Sequence, residues 1–215
     1  MLWEILKAGR TNNSDDLFTR LAARRVSVSK RGYIVLSHDI GTFNATANGN
    51  NIIWENNGEI IQGGTCTFNI TNDYSTIRIA FDEALEKLEI KNNNALKADL
   101  SDLGGKITNT LSLSNCTKIT GDLADLGGKI TSFLNLSNCQ NISGVYSGIT
   151  YPTIINLSYT GVSAEEMDQN LINLNENTSK KGTFTANGMS RTAASDAAVA
   201  GLISKGWPIT GLTKV

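Results

Sequence analysis

Leu103-Gly104-Gly105-Lys106-Ile107-Thr108 returns 23 residues later as Leu126-Gly127-Gly128-Lys129-Ile130-Thr131, and this repeat decides how the whole chain is read. The same offset carries Leu111-Ser112-Leu113-Ser114-Asn115-Cys116 onto Leu134-Asn135-Leu136-Ser137-Asn138-Cys139. Backwards, it reaches Leu88-Glu89-Ile90-Lys91-Asn92. Ile155-Asn156-Leu157-Ser158-Tyr159 makes a fourth unit after 21 residues, and Phe184-Thr185-Ala186-Asn187-Gly188 reads as a fifth after 29. Such drift at the ends is how a repeat array is capped.

Within a unit the alternation apolar-x-apolar is that of a strand with one buried face. A single unit cannot bury its own apolar edge, but stacked units can, so the array is expected to form one continuous core. The Asn at the end of each strand is expected to be buried and to bond the backbone of the neighbouring coil, and the Cys beside it to be buried and inert. Cys66, Cys116 and Cys139 form no even set and show no C-x-x-C spacing, which predicts reduced structural thiols.

The bulk composition agrees with a folded chain rich in turns. Of 215 residues 40% are hydrophobic and 18% charged, with 20 glycines and only two prolines. A net charge of −1 gives no field to gather nucleic acid or anionic lipid, and neither is expected as a partner. No apolar run approaches the ~20 residues that cross a bilayer, so no membrane span is expected. Met1 to Lys7 carries Glu4 within its apolar stretch and lacks a basic leader, so the chain as written gives no secretory signal.

From about residue 85 to 209 the L-x-L-x-N-C pattern resembles the leucine-rich-repeat family, with Leu100-Ser101-Asp102-Leu103 and Leu123-Ala124-Asp125-Leu126 as its leading segments. The outer arc is short and Gly-rich, which leaves helix, turn and strand all open there. Ser163-Ala164-Glu165-Glu166 is a capping box that predicts a helix with Met167, Leu171, Ile172 and Leu174 on its apolar face. A second helix is predicted over 192–205, ended by Gly206 before Trp207-Pro208-Ile209. This cap resembles the terminal units of bacterial surface and phage-borne leucine-rich repeats.

Upstream, six short strands are expected at 33–36, 42–47, 52–54, 59–61, 65–70 and 76–81, separated by turn pairs such as Asn57-Gly58 and Gly63-Gly64. Their order around Trp54, Phe68 and Tyr74 resembles PKD-like or immunoglobulin-like modules, without the family's Gly-Asp-Gly or a cysteine pair. The expected fold is α+β: a segment over 1–31, a small β-sandwich over 32–82, and a leucine-rich-repeat-like solenoid with a helical C-terminal cap over 83–215. In the first segment Leu2, Trp3, Ile5 and Leu6 form an apolar patch, and a helical stretch over 15–25 carries Leu17, Phe18 and Leu21. Docking into a larger assembly and packing back on the chain's own β module are both open for it.

The residues point to binding, with no catalytic group and no cofactor expected. His38 is the single histidine, and beside Asp39 it lacks the nucleophile that a hydrolase needs. Asp15-Asp16 and Glu165-Glu166 stand at helix starts, where carboxylates favour the helix dipole. No phosphate-loop, dinucleotide, zinc-protease or EF-hand pattern occurs. The side chains between the inward ones, Glu89, Lys91, Ser112, Ser114, Asn135, Ser137, Asn156 and Ser158, are expected to form an exposed polar stripe suited to a glycan or a polar protein. The resemblances imply a virion structural or fibre protein of a bacteriophage, attached through its N-terminus to other virion proteins, binding a host surface receptor or glycan, and often trimeric. A bacterial interaction protein or surface adhesin, in the cytoplasm or at the cell surface, is the alternative.

Overall fold

A computed structural model describes residues 31–148 and 150–215. Leu2, Trp3, Ile5 and Leu6, and the helix expected over 15–25, lie outside the described residues. The remainder is mostly β-sheet with two helices, an α+β composition.

Strand β1 (Arg31–His38) pairs antiparallel with β5 (Ser75–Glu89), from Arg31 against Asp82 to His38 against Ser75. Strand β2 (Gly41–Asn56) pairs antiparallel with β3 (Glu59–Gln62), β4 (Thr65–Ile70) and β5. The strands expected at 42–47 and 52–54 are thus one element of 16 residues. The turn residues Asn48-Gly49-Asn50-Asn51 do not break it. They form register shifts against β5, with Asn51 at φ 53°, and an irregularity of this kind bends a strand without ending it.

The same holds for β5, which runs for 15 residues through the boundary expected at 82/83. Glu83, at φ 65°, marks the bend. Beyond it the strand pairs in parallel with β7 (Ile107–Ser112). One strand therefore serves both halves of the chain, and the buried residues from Ile34, Phe43, Trp54 and Phe68 through Leu111, Leu134 and Phe184 form one apolar core.

From β5 onward the sheet is parallel, through β7, β9 (Phe133–Asn135), β11 (Ile154–Asn156), β12 (Thr183–Arg191) and β13 (Ile209–Lys214). Leu88, Leu111, Leu134, Ile155, Phe184 and Ile209 pair in sequence across it. Neighbouring parallel strands must be joined by a crossover. On the outer arc this crossover is made by the two short strands β8 (Thr120–Asp122) and β10 (Asn141–Ser143), which pair in parallel, and by 3-10 turns at Leu100–Asp102 and Leu123–Leu126. Asp99 and Asp122 cap those turns by accepting from the N–H groups of Ser101 and Ala124. Gly127, at φ 66°, ends the second after one turn.

The asparagines behave otherwise than expected. Asn92, Asn115 and Asn138 stand at φ 55°, 59° and 62°, left-handed positions that asparagine tolerates better than most residues. None is buried. Instead of reaching a neighbouring backbone, Asn115 Nδ2 donates to Asn92 Oδ1 and Asn138 Nδ2 donates to Asn115 Oδ1, both at 2.6 Å. The left-handed turn aims each amide along the array, so equivalent side chains meet one another. Tyr159 takes the same place in the next sequence repeat, at φ 54°.

The cysteines are buried and unpaired. Cys116 and Cys139 donate to the carbonyls of Ile90 and Leu113, and burial pushes their thiols up to about 11 and about 12. Burial likewise lifts Cys66 to about 12. A thiol held protonated and out of water is a poor nucleophile. All three are expected to resist a water-soluble aromatic disulfide reagent at pH 8 and to react together once the chain is unfolded, a result read by absorbance.

Helix α1 (Ala164–Asn177) starts at the predicted capping box: Ser163 Oγ accepts from Glu166 N at 3.2 Å and Glu166 Oε2 accepts from Ser163 N at 2.7 Å. Helix α2 (Asp196–Ser204) is shorter than predicted, because residues 193–195 form a 3-10 turn. Buried Asp168 causes this by accepting from Thr192 N, Thr192 Oγ1 and Ser195 Oγ. Gly206, at φ 84°, turns the chain, and buried Trp207 donates to Lys180 O at 2.6 Å before β13 closes the sheet.

Candidate binding face

The parallel strands set equivalent residues side by side, about 4.8 Å apart. On the face away from the core, one row runs Glu89, Ser112, Asn135, Asn156, Thr185 and Thr210. A parallel row, two residues earlier in each strand, runs Lys87, Thr110, Phe133, Ile154 and Thr183. A third follows at the repeat offset through Lys91, Ser114, Ser137 and Ser158.

The expected stripe is therefore assembled as rows, but it is not uniformly open. Ser112 is fully buried, and Ser114 and Ser158 are buried as well, while Asn135, Ser137 and Asn156 are half-buried. The exposed character expected of the three buried serines is corrected by their neighbours. Glu89, paired in register with Ser112, is clamped by Lys87 Nζ at 2.6 Å and Lys91 Nζ at 2.9 Å. Burial acts to raise the Glu89 carboxyl, but the hydrogen bonds from Lys87 and Lys91 outweigh it and hold the group below its ordinary range. Ser158 Oγ is used internally, accepting from Asn187 N at 2.9 Å.

The accessible part of the face has a definite polarity. Asn135 Oδ1 and Asn156 Oδ1 accept from Ser137 N and Ser158 N, each at 3.0 Å. Their oxygens are thus occupied by the backbone, and the NH2 groups are what the two amides can offer outward. Phe133 and Ile154, directly paired in register, put an apolar strip alongside, with Ile154 44% exposed. The sequence reading passed over these two residues. They lie two positions before Asn135 and Asn156, where the other coils carry Lys87 and Thr110, so the strand alternation already placed them on this face.

His38 and Asp39 are structural. His38 is fully buried at the end of β1, its Nε2 hydrogen-bonded to Asn93 Oδ1 at 3.0 Å. Asn93 Oδ1 also accepts from Ala95 N and Leu96 N, and Leu96–Lys97 forms the two-residue strand β6 against β1. Asp39 accepts from Lys97 Nζ at 2.6 Å and from Lys118 Nζ at 2.7 Å, tying the β1–β2 turn to two successive sequence repeats. Both lysines line a shallow depression with Thr120 and Asn141, and Asp39 neutralises much of their charge.

Hydrogen bonds from Lys118 and Lys97 lower the Asp39 carboxyl from its usual 3.8 to about 2. A carboxyl depressed on folding contributes stability above its unfolded value, and that contribution is lost as pH falls through the folded one. The stability of the chain is therefore expected to fall between about pH 4 and pH 2, and Asp39→Asn to flatten this part of the profile, as read by denaturant unfolding at each pH. An equal slope in the variant contradicts the assignment.

Among the described residues no three His, Cys, Asp or Glu side chains gather where they could hold a metal ion. No helix among them is long and apolar enough to cross a membrane. Compared with protein-family models, curated proteins and solved structures, the chain matches none.

Proposed function

We propose that this chain is a non-enzymatic structural or fibre protein of a bacteriophage virion, which displays its repeat face to a host receptor or glycan and attaches through Leu2, Trp3, Ile5 and Leu6. In this reading residues 83–215 are a leucine-rich-repeat-like solenoid with a helical cap, and residues 32–82 a small β-sandwich built on the bent strands β2 and β5. The observation that carries it is the row Glu89, Ser112, Asn135, Asn156, Thr185, which repeats one position across five parallel strands. The outward NH2 groups of Asn135 and Asn156, beside the apolar Phe133–Ile154 strip, fit a partner with regularly spaced acceptors, such as an extended glycan, because hydrogen-bond donors fix orientation and apolar contact adds burial.

The test is a glycan-binding screen with the intact chain and with Asn135→Ala/Asn156→Ala. Binding by the intact chain that drops at least tenfold in the double variant, with unfolding midpoint retained, is the expected result. Binding that the double variant leaves unchanged removes this face as the contact. The same row serves the alternative, a bacterial interaction protein or adhesin of the leucine-rich-repeat type, which differs in acting as a monomer.

A further inference from the structure

Where each repeat leaves the parallel sheet, one position turns the chain in the left-handed conformation. Asn92, Asn115, Asn138, Tyr159 and Gly188 occupy it, with φ between 54° and 71°. The backbone fixes their register: Asn92 N, Asn115 N, Asn138 N and Tyr159 N donate to the carbonyls of Ser114, Ser137, Ser158 and Asn187, each the residue before the equivalent position of the next repeat. The side chains follow this register for two steps and then stop. Asn115 Nδ2 donates to Asn92 Oδ1 and Asn138 Nδ2 to Asn115 Oδ1, so an amide oxygen followed by a further asparagine is taken up. At the third step the next residue is Tyr159, which has no amide to give. Its ring lies against Gly188, in the space that a Cβ at that position would need, and Tyr159 remains 52% exposed. Among the described residues no donor reaches Asn138 Oδ1. The break in the ladder therefore sets an unused acceptor and an accessible aromatic ring one strand step apart, about 4.8 Å.

These two groups make different demands on one ligand. The carbonyl oxygen needs a hydroxyl or N–H donor, and the tyrosine ring needs an apolar surface laid on it. A pyranose carries both on a single ring, hydroxyls at its rim and C–H groups on its face. The sequence around the step narrows the class further: residues 130–164 contain no Asp, Glu, Lys, Arg or His, so these repeats offer no charge to pair with an acidic sugar. We propose that the step between Asn138 and Tyr159 is a subsite for one neutral pyranose unit, with a sugar hydroxyl donating to Asn138 Oδ1 and the C–H face of the sugar on the Tyr159 ring. The inference rests on the glycan reading above and deepens it. Asn135 and Asn156 stand three residues before Asn138 and Tyr159 in the same two repeats, within roughly 10 Å along the chain, so the subsite adjoins their outward NH2 groups.

The test measures binding to an array of neutral oligosaccharides and their sialylated counterparts, by the intact chain and by two variants. Tyr159→Asn removes the ring and continues the asparagine ladder, and asparagine tolerates the left-handed turn, so its unfolding midpoint is expected to be retained or raised. Tyr159→Phe keeps the ring. Neutral oligosaccharides are expected to bind the intact chain, to bind Tyr159→Asn at least tenfold more weakly and Tyr159→Phe within about twofold, and the sialylated counterparts to bind no more tightly than the neutral ones. Undiminished binding by Tyr159→Asn overturns the subsite, and the glycan reading itself survives if Asn135→Ala/Asn156→Ala loses that binding. Equal losses in Tyr159→Asn and Tyr159→Phe also overturn it, because the hydroxyl and not the ring then makes the contact. Tighter binding of the sialylated members overturns the neutral assignment. No binding of any member by the intact chain overturns the subsite and the glycan reading together.

Discussion

Leu111→Ala is expected to lower stability by about 2–5 kcal/mol, the range for emptying a leucine site in a closed core. Leu111 is fully buried and pairs with Leu88 on one side and Leu134 on the other, so the truncation leaves a void between neighbouring strands. The informative part is where the loss is felt. Trp54 lies in the first module and Trp207 in the cap, both fully enclosed in the same apolar core as Leu111. Because β5 belongs to both halves and one apolar cluster runs through them, the described residues are expected to unfold as one unit. Variants that keep only Trp54 or only Trp207 should report one coincident denaturant transition, and Leu111→Ala should shift it equally for both. Two separated transitions, with only the Trp207 signal displaced, contradict the shared core.

The second large effect is at Asn115. Its φ of 59° strains a β-branched side chain, at about 1–2 kcal/mol, and its amide both donates to Asn92 and accepts from Asn138. Asn115→Val therefore combines backbone strain with two lost hydrogen bonds and is expected to cost about 2–4 kcal/mol. Asn115→Gly removes the same bonds without the strain and should cost about 1–2 kcal/mol. If the two variants prove equal in denaturant unfolding, the left-handed turn is not what asparagine provides there.

The repeat offset carried much of the fold. Leu111 and Leu134 were matched by 23 residues in sequence and are matched in register across β7 and β9; the shift to 21 at Ile155 and to 29 at Phe184 likewise reappears as direct pairing. The capping box at Ser163 was legible because its two hydrogen bonds are local. What was not legible depends on contacts distant in sequence. Asn48-Gly49-Asn50-Asn51 has the composition of a turn, and only the pairing with β5 keeps it within a strand. Asp82-Glu83 looks like a module boundary, yet Leu85 and Leu88 continue the apolar alternation on the far side of the bend.

On the candidate face, alternation correctly separated Ser112 and Asn135 from the core leucines but could not foresee that Ser112 is fully buried, because burial on this face depends on neighbours distant in sequence. The left-handed turns at Asn92, Asn115 and Asn138 left a trace, since asparagine recurs at the one non-glycine position of these three repeats where φ is positive. That recurrence was read as burial. Conformation, a local property, explains it better than environment does.

The measurement that bears most directly on the account is the mass of the full chain in solution, by light scattering over a range of concentrations, beside a variant with Leu2, Trp3, Ile5 and Leu6 replaced by serine. A virion or fibre protein is expected to form a stable trimer or larger species. A clean monomer at every concentration, unchanged by the four substitutions, contradicts that reading and leaves the repeat face of a monomeric adhesin as the function to pursue.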